Sequence, residues 1–112
     1  MSTHRWLLLL GSNLAQDQHL RDALERLETL GVASALTPVR QFPAQDGCGG
    51  AYFNALAELE CDGSRDVLSR QLKQLEQELG RNPEDDGVVA IDIDILAREE
   101  QGRWLPDAHA LA

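Results

Sequence analysis

Hydrophobic positions change their period several times along this chain, and each change predicts an element. Trp6 to Leu10 is a continuous apolar run closed by Gly11-Ser12-Asn13. A run this short, ended by turn residues, predicts a strand buried on both faces. Leu20, Ala23, Leu24, Leu27 and Leu30 then recur at helical spacing, an amphipathic helix of about four turns stopped by Gly31. Val32 to Gln41 reads as a strand, with Pro38 marking an edge or a bulge. Phe42 to Ala51 reads as a loop, because Pro43, Gly47, Gly49 and Gly50 interrupt any regular pattern. In the strand Tyr52 to Cys61, Phe53, Ala55, Ala57 and Leu59 share one face, and Tyr52, Asn54, Leu56 and Glu58 the other. A second helix starts after Asp62-Gly63, with Ser64 as N-cap and Asp66 at the positive end of its dipole. Its apolar stripe is Leu68, Leu72, Leu75 and Leu79, and Gly80 ends it. Arg81 to Gly87 is a polar loop, and Val88 to Leu96 is the last clear strand. Arg98 to Gly102 reads as a turn and Arg103-Trp104-Leu105 as a short strand, while Pro106 to Ala112 has little pattern.

The order is strand, helix, strand, strand, helix, strand, the split β-α-β or ferredoxin-like βαββαβ arrangement. The expected architecture is a single α+β domain over residues 1–112, with a four-stranded sheet. Right-handed crossovers place both helices on one face of that sheet and leave the other to loops.

Composition agrees with one small domain. Hydrophobic residues make up 43% of the chain, enough for one core, and only 4% is aromatic, so that core is aliphatic. The longest early apolar run is far short of a membrane span, and no secretory signal pattern is visible. Cys48 and Cys61 lack the spacing of a metal or redox pair and read as free thiols of a cytoplasmic protein. The net charge of −9 at pH 7 disfavours nucleic acid and anionic membranes. It does not exclude a nucleotide that arrives with a divalent cation.

The candidate chemistry is concentrated in Ala90-Ile91-Asp92-Ile93-Asp94-Ile95-Leu96. Alternation sends Val89, Ile91, Ile93 and Ile95 to the helix-covered core and puts Asp92 and Asp94 on the opposite face, with Cα atoms roughly 6.5–7 Å apart. Carboxylates at that spacing repel unless they face water or hold a cation, and a hard ion such as Mg²⁺ accepts the geometry. A solvated acidic strand face gives the same alternation; Ala90 and Leu96 beside the aspartates favour a pocket floor. Tyr52 and Asn54 fall on the same helix-free face if the two apolar sets meet the same helices. A ring and an amide there suit a flat heterocycle, stacked and hydrogen-bonded; a half-buried strand aromatic and a surface amide are the plainer alternatives. Lys73 and Glu76, off the Leu stripe, read equally as an exposed ion pair. Arg81 could reach a phosphate or simply favour the helix C-terminus.

Taken in order, these residues resemble the pyrophosphokinase family that acts on 6-hydroxymethyl-7,8-dihydropterin in folate synthesis. Leu9-Leu10-Gly11-Ser12-Asn13-Leu14 is similar to the family's opening strand and Gly-Ser-Asn-Leu turn. Tyr52-Phe53-Asn54-Ala55, Glu76, Gly80-Arg81 and Asp92-Ile93-Asp94-Ile95-Leu96 continue the resemblance, which covers roughly residues 5–106. The resemblance implies transfer of a diphosphate from ATP to the hydroxymethyl group of a reduced pterin. It implies two Mg²⁺ ions with ATP on Asp92 and Asp94, and pterin recognition by Tyr52, Asn54 and Pro43. Glu76, Lys73 and Arg81 would face the nucleotide, with Arg81 also assisting the transfer.

Against that pattern, the loop before the aspartates is Asn82-Pro83-Glu84-Asp85-Asp86-Gly87, acidic where the family's is basic, and Val89 stands where an arginine would precede the aspartates. Asp107 follows Pro106 where the family has His, and the domain is expected to be C-terminally shortened. The alternative expectation is therefore a pterin-binding relative impaired in catalysis, or a partner subunit. An exposed sheet edge would offer the contact for a homodimer or a partner chain.

Overall fold

The computed structural model describes residues 3–12, 18–43, 51–79 and 91–107. Its elements are β1 (His4–Ser12), α1 (Gln18–Leu27), β2 (Val32–Ala35), β3 (Arg40–Pro43), β4 (Ala51–Cys61), α2 (Arg65–Glu78), β5 (Asp92–Glu100) and β6 (Arg103–Pro106). The strands form one sheet in the order β2-β4-β1-β5-β6, with β3 also on β4, and every paired neighbour is antiparallel. Both helices lie on one face. Leu20, Ala23 and Leu27 of α1 and Leu68, Leu72 and Leu75 of α2 close over Trp6, Leu8 and Leu10 of β1, Ala57 and Leu59 of β4, and Ile93 and Ile95 of β5. The α+β class and the single helical layer agree with the sequence pattern. Ser64 caps α2 as expected, its hydroxyl accepting from Val67 N at 3.3 Å.

The sheet is five strands across rather than four. The additional strand is β6, which returns from β5 through Gln101-Gly102. Both residues have positive φ, 50° and 79°, the conformation of a type I′ hairpin that suits the strands' right-handed twist. The hairpin carries β5 to Glu100, past the turn expected from Arg98 onward.

The strand expected over Val32 to Gln41 is also divided. Ala35 pairs with Ala57 and Arg40 with Asn54, so residues 36–39 bulge opposite Ala55 and Leu56. Leu36 N and Thr37 N both donate to Leu56 O, at 2.9 and 3.4 Å, while the Thr37 hydroxyl accepts from Leu56 N at 2.9 Å. A side chain has replaced the backbone acceptor there, and Pro38 has no N–H with which to resume the ladder. Cys61 is a buried free thiol; Cys48 lies outside the described residues.

Candidate functional site

β1 is the central strand, and its C-terminal end organises the site. Gly11 pairs with Asn54 on one side and with Asp92 on the other; Arg40 in turn pairs with Asn54. Directly opposed residues project from the same face. Arg40, Asn54 and Asp92 thus form one cross-strand row, and Leu56, Leu9 and Asp94 form the next. This is the face away from the helices, since the alternate residues Leu10, Ala55 and Ile93 are buried. Gly11 keeps the row open: a Cβ there would stand 3.0 Å from the Asn54 amide oxygen.

Asp92 is half-buried and Asp94 reaches solvent. The Asp94 carboxyl is pushed above its ordinary pKa, first by the water its surroundings remove, then by the charge of Asp92 and a hydrogen bond to Asp92. Among the described residues no group of three or more His, Cys, Asp or Glu could hold a metal ion. An ion on this pair would need water or ligand oxygens to complete its shell, which is how Mg²⁺ is commonly held.

The aspartates line a pocket of about 360 Å³, within the range of small-molecule sites. Its other wall is α2, which contributes Arg65, Ser69, Leu72, Lys73 and Glu76. β6 pairs only with Ala97 to Glu100, so among the described residues no strand covers the edge of β5 at Asp92 to Leu96, and the pocket opens there. Two groups seal the ends of that edge. Glu76 accepts from Ile93 N at 2.8 Å, and Asp107 N donates to Leu96 O at 2.8 Å. Glu76 is only 4% exposed, so it is not half of an exposed ion pair. The signal was available: position 76 follows Leu72 by four residues and precedes Leu79 by three, inside the apolar stripe. Lys73 remains exposed on the pocket wall.

A second pocket of about 370 Å³ opens on the helix-free face beside Asn54. Leu9 and Leu56 give it apolar side chains, Ala55 also lines it, and Thr37 and Arg40 stand with Asn54 among its polar groups. Asn54 therefore lies between a largely apolar pocket and the carboxylate pair. Pro43 and Tyr52 are placed by backbone register alone, paired with Ala51 and Phe42, and Arg81 lies outside the described residues. No sequence pattern marks Arg65. It lines the aspartate pocket and donates from Nε and Nη2 to the two carboxylate oxygens of Asp107, at 2.7 and 3.1 Å. The partners are 42 residues apart, beyond any local pattern.

Fold and site together define a small α+β protein with a carboxylate pair in a cleft between a helix and an open strand edge. The model of the 7,8-dihydro-6-hydroxymethylpterin-pyrophosphokinase (HPPK) family matches residues 7–111, and the chain belongs to that family. Membership implies a pyrophosphokinase role in folate synthesis, in a family that uses ATP and a pterin. Comparison with curated proteins gives no match. Among the described residues no helix is long and apolar enough to cross a membrane.

Proposed function

We propose that this chain transfers a diphosphate group from ATP to the hydroxymethyl group of 6-hydroxymethyl-7,8-dihydropterin, on a ferredoxin-like sandwich extended by the β5–β6 hairpin. The observation that carries the reading is the row Asn54–Gly11–Asp92, which sets an amide beside an apolar pocket within one strand of a carboxylate pair. The pterin ring would lie in the pocket of Leu9, Ala55 and Leu56, with Asn54 reading its hydrogen-bonding edge, and the family resemblance adds Tyr52 and Pro43 to its recognition. The nucleotide would lie along α2, past Lys73 and Glu76, with its phosphates at Asp92 and Asp94. Asp92 and Asp94 supply hard oxygen donors and would hold two Mg²⁺ ions between themselves and the phosphates. Bound there, Mg²⁺ would neutralise phosphate charge and align the reacting oxygens. The protein's own part is positioning. Asn54 fixes the pterin, Gly11 leaves the path to Asp92 clear, and Glu76 holds the β5 edge in register.

Steady-state turnover with ATP, Mg²⁺ and hydroxymethyldihydropterin, together with calorimetry of each ligand, tests this reading. Diphosphate transfer that disappears in Asp92→Asn and Asp94→Asn supports it; absence of binding by either ligand refutes it. One feature of the sequence favours a second reading. Glu84, Asp85 and Asp86 precede the aspartates in the sequence, and added carboxylates oppose the charge that phosphoryl transfer develops. Losing one well-placed charged contact costs on the order of 10²–10³ in rate. Clear pterin binding with no turnover by the isolated chain would identify a relative that binds without catalysis, or one needing a partner chain's cations.

A further inference from the structure

Arg65 and Glu76 mark opposite ends of the α2 wall, about 16 Å apart by the helical rise. The Glu76 end faces Ile93 and the aspartate pair; the Arg65 end faces Leu96, through Asp107. Such a pocket can separate a heterocyclic base from its phosphates. Arg65 is fixed unusually well for a residue at the start of a helix. Its guanidinium makes a two-pronged pair with Asp107, whose side chain is 10% exposed, and Asp107 is tied through its own N–H to the β5 edge at Leu96. The chain of contacts from Leu96 through Asp107 to Arg65 locks the guanidinium plane.

A cation already neutralised by a two-pronged carboxylate has little left for an anion. The Arg65 side chain is still 31% exposed and lines the pocket, and a guanidinium held in one plane stacks well on an aromatic ring. Ser69 and Leu72 follow Arg65 at helical spacing, and Ile95 lies across from them, so the surroundings at this end are small or apolar. We propose that Arg65, its plane fixed by Asp107, is the platform on which the nucleobase stacks in this pocket, with Asp107 as its positioning residue. The inference rests on the nucleotide reading of the site given above.

The experiment compares calorimetric binding of ATP and of inorganic tripolyphosphate, each with Mg²⁺, to the full chain and to Arg65→Lys, Arg65→Ala and Asp107→Asn. Arg65→Lys retains a cation for Asp107 but has no plane, and so separates stacking from charge. The expected result is ATP affinity weakened about tenfold in both Arg65 variants, with tripolyphosphate affinity changed less than about twofold. Asp107→Asn should shift the two ligands apart in the same direction by a smaller factor. Equal weakening of both ligands in Arg65→Lys and Arg65→Ala, or wild-type ATP affinity in Arg65→Lys, would overturn the platform. In either case the nucleotide reading survives, because the wild-type chain still binds ATP. A wild-type chain that binds neither ligand removes both.

Discussion

Replacing Glu76 by alanine should destabilise the protein more than any surface change on α2. The side chain is buried and its Oε1 is the acceptor for Ile93 N at 2.8 Å, on the strand edge that no other strand among the described residues covers. A buried N–H left without a partner costs about 1–3 kcal/mol. Removing packed methylene from the same place adds about 0.8 kcal/mol. The sum, about 2–4 kcal/mol, corresponds to a fall in Tm of about 8–16 °C for a domain of this size. Glu76→Gln keeps an oxygen in place for Ile93 and should lose about 1 kcal/mol, the difference between a charge-assisted and a neutral bond. Urea and thermal denaturation of the three proteins, read by circular dichroism, give both numbers. The reasoning fails if Glu76→Ala unfolds at the wild-type midpoint, or if Glu76→Gln falls as far as Glu76→Ala.

Other outcomes follow from the same structure. Gly31→Ala places a Cβ 2.1 Å from the Glu60 carbonyl oxygen and 2.9 Å from Cys61 Cβ, so β2 must move off β4; the urea midpoint should report a loss of about 1–3 kcal/mol. Gly11→Ala crowds the Asn54 amide at 3.0 Å, and should weaken pterin binding in calorimetry while moving Tm by only a few degrees. The raised pKa of Asp94 means that its neutral form is favoured in the folded state, so the metal-free protein loses stability as pH rises through that pKa. Asp94→Asn should therefore raise the metal-free Tm at pH 7. The advantage should disappear well below the ordinary aspartate pKa of about 3.9, and the stabilisation by Mg²⁺ expected of the wild type should be lost. A Tm for Asp94→Asn below wild type throughout that range would contradict the assignment.

The sequence was most informative where one physical signal dominated. Alternation alone placed Ile93 and Ile95 in the core and Asp92 and Asp94 opposite them, because a strand has only two faces. The Leu stripes placed both helices on one layer. Arg103-Trp104-Leu105 reads as a short strand and forms β6, but its place as a fifth strand of the sheet was not legible, because Trp104 and Leu105 are adjacent, both exposed, and follow no alternation. That strand is set by the Gln101-Gly102 turn rather than by a buried face. Pro38 signals the bulge between β2 and β3, but not the full break in pairing, which depends on the Thr37 hydroxyl accepting from Leu56 N, a contact across 19 residues. Glu76 was misread because charge was taken to mean exposure, although its helical position lay within the apolar stripe. The pairing of Arg65 with Asp107 had no sequence signal, since it exists only once β6 has folded back along β5 and brought Asp107 to the start of α2.

The bond from Ile93 N to Glu76 also makes one backbone amide a reporter for the whole cleft. Helix and strand share a backbone-to-side-chain hydrogen bond there, and its proton exchanges with solvent when α2 lifts from the open edge. A molecule that bridges α2 and β5 must suppress this lifting, whatever its chemistry. Deuterium uptake at Ile93 would thus count openings of the cleft in the free protein and their disappearance on binding, before any product had been made.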